Sequence, residues 1–86
     1  MTTTYITILG SVVGNDRDGF RVAYDWDRQH FTTKGEAVAN GFKLRGCDDF
    51  NVGVVTDGKL ASLWWMDHEI TTTVATLAEI AQEIGL

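Results

Sequence analysis

The sequence predicts an α+β domain with the element order ββαββα, in which a four-stranded antiparallel sheet carries two helices on one of its faces. Three observations indicate this fold class. Short β-branched and aromatic stretches come in pairs joined by polar, glycine-containing turns, as in hairpins. Each pair is followed by a segment whose apolar residues recur at helical spacing. The chain has 86 residues, of which 44% are hydrophobic, so we expect one globular domain over residues 1–86.

The first predicted hairpin joins Tyr5–Val13 to Phe20–Trp26. The first strand is rich in β-branched residues and short of helix formers, and the second alternates apolar with polar side chains. The segment Gly14–Gly19 between them has the polar, glycine-flanked composition of a hairpin loop. A helix is then predicted from the capping box Thr33-Lys-Gly-Glu36 to Gly46, a residue suited to the left-handed conformation that ends helices.

The clearest local signal is Asp57-Gly58, a preferred type I′ turn between the predicted strands Phe50–Thr56 and Lys59–Met66. Uninterrupted pairing outward from this turn places Val55 opposite Leu60 and predicts one apolar face and one mixed face. The apolar face, expected to lie in the core, consists of Phe50, Val52, Val54, Ala61, Leu63 and Trp65. The mixed face, expected to lie outside, consists of Asn51, Gly53, Val55, Leu60, Ser62, Trp64 and Met66.

The last predicted element is a helix over Thr73–Ile84, whose apolar residues form one stripe. The two halves of the chain also resemble each other. A shift of 39 residues aligns Asp18-Gly19 with Asp57-Gly58, and Gly46 with Gly85. These matches fall on turns and helix ends, so an internal ββα duplication is one explanation and convergent structural needs are the other.

The charge of the chain disfavours nucleic acid as a partner. The formal net charge is −5, and residues 60–86 contain no Lys or Arg. Binding to a phosphate backbone depends on clustered basic residues, whereas those of this chain are dispersed among acids. A single cysteine, Cys47, forms no intrachain disulfide and favours the reducing cytoplasm. The sequence shows neither a signal-peptide pattern nor an apolar run long enough for a membrane span, so no membrane association is expected.

Several short motifs are candidates for chemical sites, but the residues around each of them do not fit the structure that the chemistry requires. The glycines of Gly10–Gly14 lead into a second strand, whereas a phosphate-binding loop opens into a helix. Neighbouring side chains in the extended segment Asp67-His68-Glu69 point in opposite directions, so they and His30 do not predict a metal site. Cys47 precedes Asp48-Asp49, whose negative charges oppose thiolate formation. We therefore predict no catalytic, cofactor-binding or metal-binding residue, and an enzyme is disfavoured.

The mixed face of the second hairpin remains as the candidate site. Trp and Met are enriched in partner-binding surfaces, and the predicted partner-binding residues are Val55, Leu60, Trp64 and Met66. Because the sheet has edges and the chain has no proline to blunt them, self-association is the first expectation and another protein the second. The alternative is that this face is covered within the chain.

We therefore expect a small cytoplasmic, non-enzymatic protein-interaction module that forms a homodimer through an open sheet face or edge. One alternative is a small-ligand-binding protein or enzyme with a pocket between sheet and helices, lined by converging polar groups such as His30 or His68. A further alternative is a phage-type acidic inhibitor of a nucleic-acid-binding protein. The stretch Asp49–Leu60 together with Trp64–Asp67 resembles segments of small bacterial or phage proteins, and no named family is recognised in it.

Overall fold

A computed structural model describes residues 2–86 of the chain. They form seven elements in the order β1 (Thr3–Asn15), β2 (Gly19–Trp26), α1 (Lys34–Arg45), β3 (Asn51–Thr56), β4 (Lys59–Trp65), β5 (His68–Ile70) and α2 (Val74–Ile84). The strands make one antiparallel sheet in the order β2-β1-β3-β4-β5. The α+β class is confirmed, and the sheet has five strands where the sequence predicts four.

The additional strand β5 follows a tight turn at Met66 and Asp67. Met66 has a φ of 54°, and Trp65 and His68 pair on either side of the turn. The strand is only three residues long, which is too short for an alternation pattern to identify. The sequence therefore does not indicate that an edge strand begins at His68.

The two helices cover opposite faces of the sheet, so the prediction that both lie on one face is wrong. Ile6 and Ile8 of β1 pack in one cluster with residues of α2. Between them, the buried Thr7 donates a hydrogen bond of 2.8 Å from Oγ1 to the carbonyl of Ala37 in α1. Because successive side chains of a strand point to opposite faces, α1 and α2 lie on opposite sides of β1.

The physical reason lies in the neighbouring interior strands β1 and β3. The sequences Tyr5–Leu9 and Val52–Val55 are almost continuously apolar, a pattern typical of strands that are buried on both faces. One helix covers one such face and leaves the other exposed to water, so the second helix covers the second face. The two halves of the chain thus share an element order but differ in the face that their helices cover.

The second hairpin begins as predicted and then changes register. Asp57 and Gly58 both have positive φ, 51° and 81°, as a type I′ turn requires, and Val55 pairs with Leu60. The next pair is Val54 with Ser62, so Ala61 is the extra residue of a β-bulge. A shift of one residue moves every later side chain to the other face. The predicted faces of Trp64 and Trp65 are therefore wrong, whereas Leu63 is buried as predicted but lies on the opposite face from Val52.

Two apolar clusters result, one under each helix. The cluster under α2 contains the buried residues Ile6, Ile8, Val55, Leu60, Leu63, Ile80 and Ile84. The cluster under α1 contains Ala37, Phe50 and Val52, with Tyr5, Leu9, Phe31, Val38, Trp64 and Met66 packed against them. Both helices have the ends that the sequence predicts, with threonine N-caps and left-handed glycine C-caps.

Candidate interaction surface

The four residues predicted to bind a partner do not share an outer face. Val55 and Leu60 are 3% and 8% exposed and lie in the cluster under α2. Trp64 and Met66 pack against the cluster under α1. The bulge at Ala61 separates the two pairs, because it reverses the alternation of β4 between Leu60 and Trp64. The expectation of one continuous outer patch is therefore wrong.

Trp64 is half-buried and is covered within the chain. The Lys34 ammonium of α1 lies 4.0 Å from the centre of its ring, a cation–π contact. Its Nε1 donates to the Ser62 hydroxyl over 3.2 Å. The neighbouring Trp65, expected in the core, is 42% exposed and donates from Nε1 to the Asp48 carbonyl. The two tryptophans thus occupy the reverse of their predicted positions.

A different surface is exposed at the other end of the sheet. β1 pairs with β3 only as far as Ile8, whereas its pairing with β2 continues to Asn15. Residues 11–22 are exposed throughout, and we call this two-stranded projection the arm. It contributes to an elongated shape of 44 × 30 × 22 Å. The radius of gyration is 12.9 Å, against about 12 Å for a compact chain of this length.

One face of the arm carries an apolar patch. Val12 lies directly opposite Val22, and Phe20 lies opposite Gly14, so the three apolar side chains project from the same face. Val12 is 71%, Phe20 62% and Val22 46% exposed. We call these three residues the arm patch. The alternation of Phe20–Trp26 predicts a strand with one apolar face, and the sequence alone does not show that this face is left uncovered at Phe20 and Val22.

The arm also has an unpaired strand edge. Tyr5 exchanges two backbone hydrogen bonds with Phe31 on the β2 side of β1, and the Gly10 carbonyl accepts from Arg45 on the opposite side. Peptide groups of a strand alternate between its two edges, so those of Val12 point to the same side as the Gly10 carbonyl. No strand among residues 2–86 pairs with that edge between Ser11 and Asn15.

The outer edge of β2 is protected by comparison. The Tyr24 amide donates to the Glu83 carboxylate of α2 over 3.0 Å. The same carboxylate oxygen accepts from the Arg21 guanidinium over 3.3 Å. Charged side chains on an edge strand oppose the addition of a further strand. The free edge of β1 therefore differs from the outer edge of β2 in lacking such a cover.

A notch of about 460 Å³ lies where the free edge of β1 meets the start of β3. Arg45 lines it together with Ser11 and Asp49. Both hydrogen bonds of the Arg45 guanidinium, to the Gly10 carbonyl and the Ser11 hydroxyl, use Nη2. Its Nε is buried without a hydrogen-bond partner among residues 2–86. Nη1 is engaged in neither hydrogen bond, so it, and not the buried Nε, is the donor that the guanidinium can offer at the base of the arm.

An apolar groove of about 600 Å³ runs between α2 and the β3–β4 hairpin. Leu77, Ala78 and Ala81 contribute to its lining, to which Lys59 and Gln82 add polar side chains. The two histidines lie elsewhere. His30 is hydrogen-bonded to Thr4 through Nδ1, and His68 stacks on Trp65. The converging polar groups expected of a ligand pocket are therefore not assembled in this groove.

Within the part of the chain that the structure describes, no three His, Cys, Asp or Glu side chains are grouped to hold a metal ion. Cys47 is exposed and free. Neither α1 nor α2 is long and apolar enough to cross a membrane. Comparison with protein-family models, curated proteins and solved structures found no match to this chain.

Proposed function

We propose that the protein is a non-enzymatic interaction module that forms a homodimer through its arm. The observation that carries this proposal is the arm patch, three exposed apolar side chains beside an unpaired strand edge. The sequence expectation of self-association is kept, and its location moves from the β3–β4 hairpin to the arm. The exposed thiol of Cys47 fits the reducing cytoplasm expected for this module.

The energetics of a two-stranded hairpin support association. A hairpin without further strands or a helix across its face is marginally stable in water. The arm patch exposes apolar surface to water, at a free-energy cost of roughly 25 cal/mol per Å². A partner that covers the patch and pairs with the free edge of β1 removes this apolar surface from water. It also adds a neighbouring strand, which stabilises the hairpin through backbone hydrogen bonds.

The neutral arm allows a second copy to be that partner. The whole chain has a net charge of −5, so two copies repel at long range. The arm itself contains Asp16, Arg17, Asp18 and Arg21 and is formally neutral. Contact through the arms therefore keeps the acidic bodies apart and brings no excess of like charge together.

The test is the oligomeric state of three proteins, measured by size exclusion with light scattering over a range of concentrations. We expect the wild type to change from monomer to dimer as its concentration rises. Val12→Asp places a charge in the arm patch and should weaken dimerisation about tenfold or more, a loss of roughly 1.4 kcal/mol. Val74→Asp is the matched control, because Val74 is 85% exposed and lies on α2.

The fold of each variant is checked by its thermal unfolding as a monomer, which should change little because both valines are exposed. A wild type that stays monomeric at every concentration would contradict the proposal. So would a Val12→Asp variant that dimerises as strongly as the wild type. Equal weakening by Val74→Asp would assign the effect to net charge and contradict a role of the arm in dimerisation.

The alternatives have less support. The small-ligand or enzyme alternative rests on the groove beside α2, where neither His30 nor His68 contributes to the lining. The alternative of an acidic inhibitor rests on net charge alone. Neither is favoured by an observation comparable to the arm patch.

A further inference from the structure

We infer that the two copies pair antiparallel along their free β1 edges, about a two-fold axis that passes between their Val13 residues. This inference rests on the proposed function, since it specifies how the arms associate. The two hairpins then form one four-stranded antiparallel sheet, with β2 and β1 of one copy followed by β1 and β2 of the other. A sheet of this size is sufficient for independent stability, whereas a single hairpin is not.

The extent of the free edge determines the register. At one end, the Gly10 carbonyl is occupied by the Arg45 guanidinium at 2.6 Å. At the other end, β1 finishes at Asn15 and the turn begins. The five residues Ser11–Asn15 remain, and Val13 is the middle one. Antiparallel pairing that uses the whole stretch therefore places Val13 opposite Val13, and Val12 opposite Gly14 of the second copy.

The side chains fit this register on the face of the arm patch. Gly14 leaves a gap in that face, and any side chain there would collide with the backbone of Gly19. Phe20 lies beside this gap within its own hairpin, and Val12 of the second copy arrives on its other side. The Phe20 ring thus covers the glycine and contacts the valine, a known stabilising arrangement in sheets.

The charges fit as well. In this register Asn15 of the second copy lies opposite Ser11, so its Asp16 arrives beside Gly10, where the Arg45 guanidinium is bound. Both hydrogen bonds of Arg45 use Nη2, so its Nη1 is left to donate to this carboxylate, the acceptor that a guanidinium prefers. By symmetry this contact forms twice. The notch beside the arm, about 460 Å³ in volume, has space for the incoming turn.

Disulfide trapping tests the register directly. The exposed native thiol is first removed by Cys47→Ser, and Val13→Cys is introduced in that background. Directly opposed residues in a non-hydrogen-bonded antiparallel pair have Cα atoms about 4.5 Å apart, which suits a disulfide. We expect mild oxidation to convert most of the Val13→Cys protein to a covalent dimer. Ser11→Cys is the matched control and should stay monomeric on a non-reducing gel. In this register residue 11 of one copy lies opposite residue 15 of the other, so the two thiols are four residues apart along the strands.

Each outcome decides the inference. A wild type that dimerises while Val13→Cys gives no covalent dimer would overturn this register and leave the proposed function standing. A covalent dimer from Val12→Cys in its place would shift the axis by one residue and also overturn it. A wild type that never dimerises would remove the proposed function itself. Hydrogen exchange of the unmodified protein is an independent measurement, in which the Val12 amide should exchange more slowly as the dimer forms.

Discussion

At the scale of single residues, Gly41 shows how one missing side chain permits a helix to pack. Gly41 is buried on the sheet-facing side of α1, directly against the Phe50 ring. A Cβ atom at this position would overlap that ring, which is itself only 4% exposed. The sequence places Gly41 on the apolar side of the helix, and only the structure shows that the position excludes even a methyl group.

We expect Gly41→Ala to lower the free energy of unfolding by about 1–3 kcal/mol, because the overlap with Phe50 outweighs the better helix propensity of alanine. Gly35→Ala in the same helix is the matched control. Its Cβ meets no atom within 4 Å, so this change should stabilise the protein by up to about 1 kcal/mol. Denaturant titration of both variants measures the difference. Stabilisation by both would show that α1 does not pack closely on Phe50.

At the scale of elements, the strand edges of the sheet differ in how they are protected from further pairing. The outer edge of β2 is covered by the Glu83 carboxylate, which accepts from the Tyr24 amide and from Arg21. The free edge of β1 has no such cover between Ser11 and Asn15. A dimer that uses only the β1 edge is closed, because each copy contributes the same edge once. Protection of the β2 edge therefore opposes the addition of further strands to the paired arms.

We expect Glu83→Ala to produce species larger than a dimer, because it leaves the Tyr24 amide unpaired on an exposed edge strand. Light scattering during prolonged incubation at high concentration measures this change. Glu79→Ala removes another exposed carboxylate of α2 and serves as the control for net charge. Larger species in both variants, or in neither, would contradict a specific role of Glu83 at the edge.

At the scale of the whole molecule, one sheet serves two cores. Leu63 lies in the cluster under α2, and its neighbour Trp64 packs against the cluster under α1. β1 and β3 contribute to both clusters. Loss of packing on one face therefore weakens strands on which the other helix also depends, and the two faces are expected to unfold together.

We expect Leu63→Ala to lower the free energy of unfolding by about 2–5 kcal/mol, since Leu63 is only 6% exposed. Amide signals of α1 and α2 should shift to the same lower denaturant midpoint. Leu44→Ala is the matched control, because Leu44 is 44% exposed and its loss should change stability by no more than about 0.5 kcal/mol. Unfolding of α2 at a lower midpoint than α1 would show that the two cores are independent.

Much of the local structure could be predicted from the sequence, because its signals lie in adjacent residues. The Asp57-Gly58 turn, the Thr33 cap and the Gly46 helix end depend on backbone angles and nearby hydrogen bonds alone. The candidate site could not be predicted in the same way. The arm patch is open because the pairing of β1 with β3 ends at Ile8, and that depends on where a distant segment begins to pair. The faces of β4 were hidden for another reason, since a bulge at an alanine leaves no mark in the alternation.

By itself the sequence determined the α+β class, the first two hairpins, the helix ends and the acidic balance of this protein. Only the tertiary structure decided which face each residue occupies and which surface stays open. β3 starts at Asn51, opposite Ile8, so β1 continues without a neighbour on that side and Val12 remains in water. Local chemistry sets turns and caps, whereas burial depends on which distant element arrives to cover a strand, and that is settled only when all elements are packed.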